Sequence, residues 1–152
     1  MIIMKANKLF VALTALVLMA CNKQPEVIVP QKADFKGTVT VEYKGEPYDN
    51  ENIEVKFTPS EDGKTASLTI YKIRFVPQMP VTIDVTIPNI ELTATTTEIT
   101  LKCDEVIPLA MGGEYPRYKV TNLKGVIDHG TLDFSLNFGD FPTSFTGRQL
   151  LK

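Results

Sequence analysis

The sequence predicts an all-β protein, a single antiparallel up-and-down β-barrel of about eight strands. Three observations carry this. Apolar residues recur at every second position through almost all of residues 35 to 147, the period of a strand with one buried face. Turn-forming clusters interrupt that alternation at short intervals, as sequential hairpins require. No stretch after Cys21 sustains a 3.6-residue apolar period over several turns, so no long helix is expected. The chain's 152 residues suffice for one domain with a sizeable core.

The elements follow in order. FKGTVTVEY places Phe35, Val39, Val41 and Tyr43 on one face, with Lys36, Thr38, Thr40 and Glu42 on the other. NIEVKFT repeats the pattern through Ile53, Val55 and Phe57, and the turn chemistry of Pro59 to Lys64 closes a hairpin to the next run. In TASLTIYKIRFV the apolar parity moves from Ala66, Leu68 and Ile70 to Ile73 and Phe75, which predicts a bulge near Tyr71 and Lys72. VTIDVTI alternates through Val81, Ile83, Val85 and Ile87. Pro88-Asn89 then resets the parity to Ile90, Leu92 and Ala94, a bend or a short connection. TEITLKC supplies another strand. RYKVTNLKGVI and TLDFSLNF flank the turn-like Asp128-His129-Gly130, the second run carrying Leu132, Phe134, Leu136 and Phe138 on one face. A short TSFTG strand, Thr143 to Gly147, is the last.

The N-terminus stands apart. Lys5 and Lys8 precede an uncharged run from Leu9 to Ala20, the length of a signal-peptide apolar region and short for a membrane span. Leu18-Met19-Ala20-Cys21 resembles the bacterial lipobox, which implies cleavage after residue 20 and diacylation of Cys21. Two or three acyl chains, at about 0.8 kcal/mol per buried methylene, give lasting attachment where one chain is marginal. Residues 1–20 are therefore expected to be a lipoprotein signal peptide, 21–34 the lipidated cysteine and a flexible, proline-containing tether, and 35–152 the barrel. Loss of Lys5 and Lys8 leaves 14 basic against 18 acidic residues, a charge of −4 that disfavours nucleic acid as a partner. With Cys21 acylated, Cys103 has no disulfide partner in the chain and is expected to be a buried, inert thiol on the face of Ile99 and Leu101.

The residues that carry catalysis elsewhere are not assembled in sequence. His129, the sole histidine, sits in a turn and is expected to be exposed, with no catalytic triad around it. The acidic pairs Glu61-Asp62 and Asp104-Glu105 fall on a turn and on a strand whose neighbours face opposite ways. One histidine and one free cysteine make no zinc site, and Asp49 to Asn52, DNEN, lacks the glycine and terminal glutamate of a calcium loop and reads as incidental loop polarity. Gly112-Gly113 reads as a turn rather than a phosphate cradle. No catalytic residue, metal ligand or cofactor is assigned, and the protein is expected not to be an enzyme.

From Phe35 to Gly147 the chain resembles the calycin-like domain of small lipoproteins in Gram-negative envelopes. The resemblance lies in FKGTVTVEY, MPVTIDVTIPNIELT, VIPLAMGGEYPRYKVTNLKG and GDFPTSFTG. It implies a lipocalin-like barrel, tethered through its N-terminal lipid to the outer membrane, in a family whose members mostly have no assigned function. True lipocalins carry a Gly-x-Trp signature near the first strand; this chain has no tryptophan and offers Phe35-Lys36-Gly37 there. An eight-stranded barrel either holds one small ligand or is filled by side chains. Phe35, Tyr43, Phe57, Phe75, Phe134 and Phe138 favour filling. Tyr48, Tyr115 and Tyr118 are then the candidate ligand-binding residues, placed to stack on a sugar or grip a partner at the barrel mouth, or simply to cap it. The expected function is non-catalytic binding of a small molecule, glycan or peptide; the alternative is a structural or inhibitory protein that acts through its outer surface.

Overall fold

The computed structural model describes residues 26–151. Ten strands form one sheet: β1 (Ala33–Tyr43), β2 (Glu46–Pro59), β3 (Thr65–Ile73), β4 (Ile83–Ala94), β5 (Glu98–Val106), β6 (Leu109–Ala110), β7 (Gly113–Glu114), β8 (Val120–Asp128), β9 (Thr131–Phe138) and β10 (Phe141–Gln149). β1 pairs with β10, β3 pairs with β4, and the remaining neighbours follow chain order apart from the β6–β7 hairpin, so β1–β5 and β8–β10 close an eight-stranded antiparallel barrel. This is the expected up-and-down barrel. Closure removes the two long edges that an open sheet of these strands would expose.

Four bulges bend the wall, each with a non-glycine residue in the left-handed region: Asn52 (φ 55°), Lys72 (φ 59°), Asn89 (φ 58°) and Asn122 (φ 53°). Asparagine enters this region more readily than most residues, which accounts for three of the four. The shift near Tyr71 and Lys72 is as expected. Pro88-Asn89 is a bend inside β4 rather than a connection. Past that bend β4 changes partner: Val85 and Thr86 pair with β6, whereas Glu91 to Ala94 pair with β5. The β6–β7 hairpin thus covers a wall that β5 leaves unpaired.

The inward faces fill the barrel. Phe35, Phe57, Phe75, Phe138, Phe145, Leu68, Ile70, Ile87, Leu123 and Leu132 are all fully buried. Each such side chain contributes about 1.5–3 kcal/mol relative to exposure. Glycines make room for the rings. Gly125 pairs in register with Phe134, and a Cβ on Gly147 would lie 2.4 Å from Cζ of Phe145. Phe134 and Phe145, partners across β9 and β10, stack with centroids 5.3 Å apart.

The two ends differ. One gathers the β2–β3, β4–β5 and β8–β9 turns with the segment that leads into β1. There Ile28 N donates to Thr95 O (2.8 Å), Gln149 N to Gly130 O (2.7 Å) and Leu150 N to Asp34 O (2.8 Å). A Cβ on Gly63 would sit 3.6 Å from the Pro30 ring. β1 begins at Ala33, two residues ahead of the expected boundary, and the preceding segment already lies against the barrel from Ile28. The opposite end, called the rim below, carries the Lys44-Gly45 and Gly139-Asp140 turns and the long connections 74–82 and 107–119. The expected signal peptide, residues 1–20, and Cys21 lie outside the described residues.

Candidate functional site at the barrel rim

The bulge at Asn52 turns the first half of β2 over, so that Asn50, in a segment expected to be a polar loop, sits inside a strand and points inward. The reading of DNEN as loop polarity is therefore corrected: Asn50 is only 9% exposed and serves the loop that crosses the barrel mouth. Its Nδ2 donates to Arg74 O (3.0 Å) and its Oδ1 accepts from Arg74 N (2.9 Å), satisfying the same two groups that a neighbouring strand would. Beyond Arg74 the chain tightens on itself. Arg74 Nε donates to Met79 O (3.1 Å), and Phe75 N donates to Met79 Sδ (3.1 Å). The run expected to continue as strand to Val76 stops at Ile73, and Phe75 drops into the mouth as a fully buried plug.

An aromatic stack rises from that plug. Tyr118 lies on Phe75 with centroids 4.3 Å apart and planes 20° from parallel, and Tyr115 lies on Tyr118 at 5.1 Å and 15°. Phe138 meets Phe75 edge-on at 5.0 Å, while Phe141 lies 6.2 Å from Phe75 and 6.5 Å from Tyr43. Offset or edge contacts of this kind contribute about 0.5–1.5 kcal/mol per pair beyond area burial. The 3₁₀ turn Pro116–Tyr118 sets the two tyrosines: Pro116 opens it, and Tyr118 N bonds to Tyr115 O (3.2 Å). Gly139 N to Lys119 O (2.8 Å) and a Lys119–Glu105 ion pair hold its far side. Cations border the rings, with Arg117 5.7 Å from the Tyr118 centroid and Lys44 5.2 Å from that of Tyr43.

The three tyrosines named from sequence thus lie at this end, all half-buried. Tyr115 and Tyr118 come together in the stack. Tyr48 lines a separate groove of about 400 Å³ with Tyr43, Lys44, Pro47 and Pro77. Sequence reading missed Phe75 and Phe141 as rim residues: Phe75 extends an alternating apolar run and reads as wall, and Phe141 falls ahead of the expected last strand, Thr143 to Gly147, whereas β10 begins at Phe141 itself. The parity break at Lys72 was the available signal for Phe75.

The remaining candidates are scattered. His129 pairs with Asp128 in the β8–β9 turn, at the end away from the rim, with its side chain 87% exposed. Glu61, Asp104 and Glu105 are exposed, and Asp62 shapes its own turn: the Ser60 hydroxyl and then the Lys64 N–H hold its carboxyl below the ordinary value. Met111-Gly112 is the tip of the β6–β7 hairpin, both residues at positive φ. Cys103 is free and buried, and desolvation pushes its thiol pKa up against a smaller opposing effect of the Glu105 N–H. Among the described residues, no three His, Cys, Asp or Glu side chains gather into a group able to hold a metal ion.

Fold and rim together define a closed eight-stranded barrel, filled along its axis and plugged at one mouth by an aromatic cluster. Comparison with known proteins finds no family model, no curated protein and no solved structure that matches the chain.

Proposed function

We propose that this is a lipid-anchored, non-catalytic envelope protein of the calycin-like type that binds a glycan or peptide at its rim rather than inside its barrel. The observation that supports this best is the Phe75–Tyr118–Tyr115 stack, which runs from the filled core to a half-exposed tyrosine. Rings fixed from behind lose little freedom when a ligand stacks on them, and the flanking Arg117 and Lys44 supply donors for hydroxyl, carbonyl or carboxylate groups. A filled interior leaves the mouth and the outer wall as the surfaces able to recognise anything.

Native mass spectrometry of protein extracted gently from its own envelope tests this. A non-covalent adduct is expected on the wild-type chain and is lost in Tyr115→Ala, whose substitution sits at the outer end of the stack and spares the core. An adduct that survives Tyr115→Ala and Tyr48→Ala sinks the rim reading.

A second reading has its own observation. Val81, Leu109 and Met111, which are 61%, 40% and 68% exposed, border an open groove of about 890 Å³ on the outer wall between β4 and the β6–β7 hairpin. A partner protein docking there is the alternative, and Met111→Asp, harmless to rim binding, would abolish it.

A further inference from the structure

We infer that the barrel end opposite the rim rests directly on the lipid surface, making the protein an oriented, membrane-seated barrel rather than one held off at the length of a spacer. The inference rests on the reading of Cys21 as the acylated residue. Ile28 is hydrogen-bonded to the β4–β5 turn and Pro30 packs on the β2–β3 turn, so the chain is fixed to this end from Ile28 onward. From Cys21 to Ile28 there are only seven residue steps, a reach of at most about 25 Å when fully extended. The barrel strands, of eight to fourteen residues, span about 20–35 Å along the axis at the usual tilt, so a fully extended tether reaches only about as far as the rim. An acyl group in the bilayer therefore holds this end within about 25 Å of the headgroups, whereas the rim would approach them only with the whole tether running back along the wall.

The surface presented there suits that position. Of the exposed large apolar side chains, Val27 (55%), Val29 (71%) and Leu151 (94%) belong to this end. Leu151 borders a groove of about 480 Å³ with Lys32 and Lys56, beside Asp34. Lysine stems can lie along apolar surface while their ammonium groups reach phosphate oxygens, as at a bilayer interface. Glu26, Glu61 and Glu98 lie at the same end, so net charge does not drive docking and apolar insertion has to carry it. Contact is therefore expected on zwitterionic and anionic bilayers alike.

The chain's lack of tryptophan makes the test clean. Full-length lipidated protein carrying Leu151→Trp, and separately Val29→Trp, is reconstituted into phosphatidylethanolamine–phosphatidylglycerol vesicles with brominated acyl chains. Met111→Trp, near the rim end, is the control. Intact mass of wild type and of Cys21→Ser is measured first, and circular dichroism confirms the barrel in each variant. The expected result is acyl mass on the wild type but not on Cys21→Ser, with quenching at least threefold stronger for Leu151→Trp and Val29→Trp than for Met111→Trp. Acylated protein with equal quenching at both ends overturns the docking and leaves the anchor standing. Wild type without acyl mass removes the anchor reading and the docking with it.

Discussion

Asn50 spends both hydrogen-bonding ends of its side-chain amide on one residue, accepting from Arg74 N at 2.9 Å and donating to Arg74 O at 3.0 Å. The pair latches the 74–82 connection over the mouth and sets the direction in which Phe75 leaves the wall. Asn50→Ala orphans two part-buried backbone groups, at a cost of about 1–3 kcal/mol. Denaturant unfolding is expected to register that loss. Amide exchange is expected to rise at Arg74 and Phe75 more than in β1 or β10, since the loop depends on the latch and the wall does not.

Gly147 pairs in register with Gly37, and Phe145 lies over it. A Cβ there would stand 2.4 Å from Phe145 Cζ and 2.8 Å from Lys36 O, and the backbone oxygen cannot swing aside as a side chain can. Gly147→Ala is expected to lower stability by about 1–3 kcal/mol through overpacking. Gly113→Ala is the matched control, because a Cβ at Gly113 meets nothing within 4 Å.

Burial raises the Cys103 thiol pKa, leaving less reactive thiolate at a given pH than a free cysteine would have. A disulfide reagent at pH 8 is expected to label the native domain many times more slowly than the urea-unfolded chain. Equal rates would mean that β5 opens at this position in the native state.

The Asp62 carboxyl is held below its ordinary value by the Ser60 hydroxyl and then by the Lys64 N–H. A depressed carboxylate contributes stability above the unfolded-state pKa of about 3.9 and loses it as pH falls through the folded value. Asp62→Ala is therefore expected to be less stable than wild type at pH 7, with the difference shrinking below pH ~4 as the wild-type Asp62 carboxyl is protonated. Unfolding curves at the two pH values check this.

The wall was legible because a half-buried strand alternates at every second residue, as VTVEY, IEVKF and TLDFSLNF do. The bulge near Lys72 and the bend at Asn89 were legible because apolar residues on both sides expose the change of parity. The bulge at Asn52 was hidden, since DNEN carries no apolar residue to report which way the chain faces. The β6–β7 hairpin, two residues a strand, is too short for any period to show. Tyr115 and Tyr118 could be nominated as aromatics for a barrel mouth, but their assembly on Phe75 follows from closure of the barrel, a contact among segments far apart in sequence that no local pattern encodes.

The most direct test of rim recognition over a filled barrel is amide chemical-shift mapping of the labelled domain against fractionated envelope glycans and peptides. Shifts are expected to be confined to Tyr115, Arg117, Tyr118 and the Arg74 to Met79 loop, with Val55, Leu68 and Leu136 inside the barrel unmoved. Shifts concentrated on those interior residues would show a ligand entering the barrel and would contradict rim recognition.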